Sequence, residues 1–237
     1  MFTGFPEETV RFFLDLRFHN QISYFEERRE DYLQDVQAPF YDLIGELVPK
    51  LQKIDPQMET RPYKCLARIR RDTRFTKDKS PYRDHLWVLF RRAAEPREQS
   101  LNFWFEFGPQ QLGWGMGFWG ENRPVMDRFR RELAARPQKF LDLLEGCDLP
   151  GHHLGLSGAY FKRLTIPEGL PPEAESWYRM RELWVSKVNW IIAGPLTPGL
   201  WIAFGRITRL LRRCISCCGA WRMRNKAEID ALLRRRS

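Results

Sequence analysis

The hydrophobic period of this chain changes near residue 60, and that change limits what it can fold into. Before it, apolar residues recur every three or four positions: Val10, Phe13 and Leu14, then Tyr24, Phe25, Tyr32 and Val36, then Phe40, Leu43, Ile44, Leu47 and Val48. Such spacing puts an apolar stripe on each of three successive helices. Pro6 suits a first helical turn, and Asn20 can cap the second helix, with Ser23 and Glu26 as an alternative capping box. The second helix is expected to run to Pro39 and the third to end near Pro49 or Pro56.

After the change the period is two. Cys65, Ala67 and Ile69 alternate with Lys64, Arg68 and Arg70, which predicts a strand with one charged face. Residues 85–91 and 101–107 are compact β-rich runs, the second dense in aromatics. Residues 112–119 alternate Leu112, Trp114, Met116 and Phe118 with Gly113, Gly115 and Gly117. Helical spacing returns from Asn122 through Val125, Met126, Phe129 and Leu133, and after Pro137 through Phe140, Leu141 and Leu144. A loop is expected over 146–158, a short strand over 160–164, and helices over 173–185 and 200–218. The prediction is an α+β fold: a largely antiparallel sheet, about residues 64–120 plus a short strand near 160, flanked by N- and C-terminal helices. With no internal repeat or low-complexity linker, residues 1–215 read as one domain and 216–237 as a basic tail.

Composition narrows the function classes. A content of 43% hydrophobic and 14% aromatic residues excludes a disordered chain. The net charge of +9 suggests a nucleic-acid binder until it is located. Residues 206–237 hold ten Lys/Arg and two Asp/Glu, which leaves 29 basic and 28 acidic residues before them. The main domain is nearly neutral. Met1-Phe2-Thr3-Gly4 does not begin a signal peptide, and the stretch 190–204 is broken by Pro195 and Pro198 and too short to span a bilayer. With five cysteines, an odd number, reduced thiols and a cytoplasmic location are expected.

Charge concentrates again between Arg68 and Asp84, where seven basic residues (68, 70, 71, 74, 77, 79 and 83) mix with three acidic ones (72, 78 and 84). Arginine forks bind carboxylate or phosphate in two-point fashion, and lysine adds a mobile point charge. Asp72 and Asp78 can orient these cations, while Phe75 and Tyr82 offer faces for stacking. The candidate anion site is therefore Arg68, Arg71, Asp72, Arg74, Phe75, Lys77, Asp78, Lys79 and Tyr82. If the site is catalytic, Arg71 and Arg74 would stabilise developing negative charge, and Asp72, Asp78 or Tyr82 would move a proton. The competing reading is an Arg–Asp network that braces the sheet against the helices.

Arg68-Ile69-Arg70-Arg71-Asp72-Thr73-Arg74-Phe75, followed by Asp78-Lys79-Ser80-Pro81-Tyr82, resembles the RxxRDxRF…[DN]KxxY signature of the bacterial domain-of-unknown-function family 2461. The likeness extends to His19-Asn20, Tyr24-Phe25, Tyr32 and Pro39, to Gly115–Trp119, and to Phe161-Lys162-Arg163-Leu164, covering the chain to about residue 215. That family has no established activity, so the resemblance implies a fold neighbourhood and no reaction. The Cys- and Arg-rich end departs from the family's usual close.

Other motifs are weaker. Gly115-Met116-Gly117-Phe118-Trp119-Gly120 matches G-x-G-x-x-G, but it alternates inside a predicted strand, where glycines serve a close approach to the sheet. Cys214, Cys217 and Cys218 share a helical face without a fourth zinc ligand, and His152-His153 lack a third. No metal and no cofactor are expected. Cys65 lies near Arg68, which can lower a thiol pKa, although strand packing is the simpler role. Trp201, Phe204, Ile207, Leu211, Cys214 and Cys218 form an apolar stripe with arginines opposite, suited to packing on the domain, an anionic membrane or nucleic acid. Two partners are thus weighed: an anionic small molecule at residues 68–82, and nucleic acid gripped by that cluster and the tail. A Walker loop is absent from the sequence, which argues against ordinary nucleoside-triphosphatase chemistry. Whether the protein is an enzyme stays open at this point.

Overall fold

The computed structural model describes residues 2–53, 55–95, 100–118, 122–147 and 154–189. Helix α1 (Glu7–Phe18) follows Pro6, carries Glu7 and Glu8 in its first turn and Arg17 in its last, and buries Phe12, Phe13 and Leu16. These end charges complement the helix dipole. Helix α2 (Ile22–Glu27) starts without a side-chain cap. Asn20, the expected cap, faces Tyr82 instead, 62 residues away.

The expected break at Pro39 falls elsewhere. The chain turns at Arg28, and helix α3 (Arg29–Asp31) runs through a π-helical turn (Tyr32–Gln37) into α4 (Ala38–Gln52), which contains both Pro39 and Pro49. Proline brings no N–H to the carbonyl four residues back, here that of Asp35. The fully buried Thr9 hydroxyl of α1 donates to that oxygen, so a side chain supplies a bond that the proline withholds. Phe40, Leu43, Ile44, Leu47 and Leu51 of α4 turn into the core.

The sheet has five strands, all antiparallel, in the order β1 (Leu86–Phe90), β2 (Leu101–Gly108), β3 (Gln111–Phe118), β5 (Trp184–Asn189) and β4 (Gly155–Ser157). Register puts Leu86, Val88 and Phe90 opposite Phe107, Phe105 and Phe103, which face Leu112, Trp114 and Met116 in turn. These residues make one buried face, against which Phe5 and Phe40 pack at ring distances of 4.3 Å (Phe5–Phe107) and 6.5 Å (Phe40–Phe105). On β1 the opposite face shows the half-buried Trp87 and Leu89. Helices α6 (Arg123–Ala135), capped by Asn122 as the sequence suggests, α7 (Pro137–Cys147) and α8 (Pro172–Tyr178) follow β3. Among the described residues no helix is long and apolar enough to cross a membrane.

Three elements differ from expectation within this α+β architecture. The helix predicted over 173–185 ends at Tyr178, and the chain then enters β5, because Val185 and Val188 can also read as strand and β3 needs a partner on its second edge. Residues 160–164 contribute a single bridge, Tyr160 to Met180, while the strand lies earlier, at β4. Residues 62–65 form a helical turn, α5 (Pro62–Cys65), and only then does the charged run become extended. Gly115 and Gly117 lie inside β3, as expected. A Cβ on Gly115 would meet the Val185 carbonyl at 2.4 Å, and one on Gly117 the Trp184 ring at 2.6 Å. The glycines let β5 close on β3.

Candidate functional site: a cationic cavity beside the sheet edge

Residues 66–71 run antiparallel to β1 and its approach. The Ala67 amide donates to the Trp87 carbonyl at 2.9 Å, the Arg83 amide to the Ile69 carbonyl at 2.9 Å, and the Arg71 amide to the Pro81 carbonyl at 2.8 Å. Leu66 and Ile69 are buried, whereas Arg68 and Arg70 are exposed. Arg83 fixes this run from the side. Its Nη1 donates to the carbonyls of Arg68 at 2.6 Å and Arg70 at 2.7 Å, and its guanidinium lies over the Trp87 ring at 5.0 Å. Burial first, and the charge of Arg71 second, push Arg83 below its ordinary pKa. Burial is thus the larger cause, and the neighbouring Arg71 charge adds to it.

The run, α5 and β1 border an open cavity of about 590 Å³. Among the described residues, six cationic ones line it (Lys64, Arg68, Arg70, Arg71, Arg83 and Arg91) together with one carboxylate, Asp72. Cys65, Leu66, Ala67, Trp87 and Leu89 complete the wall. Most of the acids nearby are already engaged. Asp72 takes a two-point bond from Arg74, at 2.9 and 2.7 Å, which holds its carboxyl down to about 2. Asp78 accepts from the Ser80 amide at 2.9 Å and pairs with Arg71 Nη1, and lies below the usual carboxylate range for those reasons. Arg71 Nε is buried with no hydrogen-bond partner among the described residues. The Arg68 and Arg70 side chains make no ion pair and no hydrogen bond with any described residue. Arg91 donates to the carbonyls of Arg92 and Glu95 and makes no ion pair with any described residue.

The nine residues singled out by the sequence therefore divide. Arg68, Arg71 and Asp72 line the cavity. Arg74, Phe75, Lys77, Asp78 and Lys79 belong to an exposed loop that ties itself together: Lys79 Nζ donates to the Thr73 carbonyl at 2.8 Å, and Thr76 to that of Asp78 at 2.7 Å. Phe75, at 89% exposure, has only Arg74 over its ring. Tyr82 is buried and stacks on Phe25 at 4.2 Å, so it offers no face to a ligand, and burial raises its phenol pKa. Lys64, Arg70, Arg83, Trp87 and Arg91 complete the site without having been named as site residues. The alternation of 64, 68 and 70 and of 87, 89 and 91 is the signal that finds them. The Cys65 thiol donates to the Glu59 carbonyl at 3.5 Å and is pushed up to about 12 by burial, so it is packing and not a nucleophile.

A second polar cluster lies two residues before Trp87. Asp84 accepts from Arg17 Nε at 2.7 Å and faces His85 Nδ1 at 2.9 Å, while Glu106 Oε1 stands 3.4 Å from His85 Nε2. The imidazole sits between two carboxylates with opposite shifts. Hydrogen bonding, from His85 first and then Arg17, holds Asp84 far below its ordinary range, and burial raises Glu106. A Cβ on Gly108 would meet His85 Cβ at 2.6 Å, so only glycine lets β2 end against this pair. Among the described residues no group of three His, Cys, Asp or Glu side chains is placed to hold a metal. His152, His153, Cys214, Cys217, Cys218, the helix predicted over 200–218 and the basic tail lie outside the described residues.

Fold and site together define an α+β protein whose sheet edge and a flanking extended run border an arginine-lined cavity. The family model of the conserved hypothetical proteins DUF2461 matches residues 8–189, and the chain belongs to that family. The match includes the whole cavity wall. No curated protein and no solved structure matches the chain.

Proposed function

We propose that the cavity binds the phosphate or carboxylate group of a small anionic molecule. The observation that carries this reading is the imbalance of the wall: six cations against one carboxylate that Arg74 already engages, with Arg68 and Arg70 unpaired. Like charges gathered on one wall repel one another, and an anion among them relieves that repulsion. Arg83 supports the reading by anchoring the backbone of Arg68 and Arg70, so their side chains meet a ligand from a fixed base. The bracing role of the arginines is real but local, and belongs to Arg83, Arg74 and one arm of Arg71.

Binding fits these groups better than proton transfer. Asp72 and Asp78 are strongly favoured as carboxylates, and Tyr82 is a buried phenol raised above its usual value. A cytoplasmic ligand suits the reduced, buried Cys65. Isothermal titration of the full chain with inorganic phosphate and with citrate tests the reading. The wild type is expected to bind at least one of them, and Arg68→Ala combined with Arg70→Ala to weaken that binding at least tenfold while keeping the melting temperature. Equal binding by the variant would overturn it.

A further inference from the structure

Resting on that reading, we infer that the ligand carries at least two linked phosphate groups on an uncharged body, as a nucleoside diphosphate does. The first argument is charge. One phosphate monoester carries about −1.5 to −2 at neutral pH, too little for a wall of six cations and one engaged carboxylate. Four of the cations share one stretch of wall: Arg68, Arg70 and Arg71 lie on one run, and Arg83 holds that run by the carbonyls of Arg68 and Arg70. A diphosphate, with roughly twice the charge of a monoester, satisfies that group without leaving arginines facing one another.

The second argument is size. A tetrahedral oxyanion displaces on the order of three waters, roughly 90 Å³, whereas the cavity holds about 590 Å³. That volume falls in the range of sites for whole small molecules, roughly 300–1,000 Å³. The third argument is the order of the wall. Arg83 and Arg91 stand before and after β1, eight positions apart and about 26 Å at strand rise. Between them Trp87 and Leu89 face the cavity, with Leu66 and Ala67 on the neighbouring run. Four of the six cations (Arg68, Arg70, Arg71 and Arg83) lie toward the Arg83 end, the apolar stretch follows, and Arg91 closes the other end, an order that suits a doubly charged head on a less charged body.

Titration of the full chain, without divalent cations, with inorganic phosphate, pyrophosphate, a nucleoside monophosphate and the matching diphosphate tests this, read by calorimetry and tryptophan fluorescence. Pyrophosphate is expected to bind at least tenfold more tightly than phosphate, and the nucleoside diphosphate more tightly still, with a fluorescence change that Trp87→Phe reduces. Phosphate and pyrophosphate binding alike would overturn the inference and leave the anion site standing. Binding of none would overturn both. Tighter, steeply salt-dependent binding of a single-stranded oligonucleotide would overturn the inference in favour of nucleic acid.

Discussion

Asn20 and Tyr82 exchange two hydrogen bonds: Asn20 Nδ2 donates to the Tyr82 carbonyl at 3.0 Å, and the Tyr82 amide donates to Asn20 Oδ1 at 2.9 Å. The side chain thereby imitates a strand partner and pins the residue before Arg83 to the N-terminal helices. Replacing it with alanine removes both bonds and leaves two partly buried backbone groups to water. Asn20→Ala is expected to lower stability by about 1–3 kcal/mol, measured by urea unfolding. A loss under about 0.5 kcal/mol would show the pair to be incidental.

Arg83 should matter to ligand affinity through the backbone it holds as well as through its charge. Its bonds to two carbonyls and its stacking on Trp87 need a planar guanidinium. Arg83→Lys keeps the charge and is still expected to weaken phosphate binding about tenfold or more, whereas Lys77→Ala on the outer loop should change it less than twofold. The same calorimetric titration reads both.

The pair Arg92–Asp55 closes the junction between the N-terminal helices and the end of β1. Arg92 Nε lies 2.5 Å from Asp55 Oδ2 and Nη1 3.0 Å from Glu95 Oε1, with side-chain exposures of 16% and 14% for Arg92 and Asp55. Removing one partner strands a largely buried charge. Arg92→Ala is expected to cost about 3 kcal/mol, by chemical denaturation at neutral pH.

The two carboxylates around His85 predict opposite pH responses. Asp84 is depressed in the folded state, so its contribution is present above the unfolded value near 3.9 and is lost as pH falls toward the folded one. Asp84→Asn should therefore destabilise at pH 7 by about 1–2 kcal/mol, with the gap closing below about pH 4. Glu106 is raised by burial, so its ionisation opposes folding above its unfolded pKa. Glu106→Gln should gain stability relative to wild type between about pH 4 and 7. Unfolding curves across that range check both signs.

Much of this was legible in the residues and some was not, for physical reasons. The period change locates the sheet, and the alternation of Leu112, Trp114, Met116 and Phe118 with glycines marks β3. Short runs mislead, since Trp184–Asn189 fits either period until β3 claims it. For the candidate site, charge density picks out a segment part of which lines the cavity, but it cannot say which way each arginine turns. Arg74 and Arg68 look alike in sequence, yet one is engaged by Asp72 two residues away and the other lines the cavity. Tyr82 reads as a stacking platform and is a core residue, because the aromatic that decides its fate, Phe25, comes from another helix. Trp87 and Arg91 come to the wall because residues 66–71 pair alongside β1, and Lys64 because the helical turn α5 precedes that run, neither of which a linear motif contains.

The most direct test of the anion site is to see an anion in it. Crystals of the full chain soaked in tungstate, a heavy oxyanion of phosphate shape, should give an anomalous difference peak within hydrogen-bonding reach of Arg68, Arg70 and Arg71. The peak should vanish in the Arg68→Ala, Arg70→Ala double variant. An empty cavity, or a peak unchanged by the substitutions, would contradict the account.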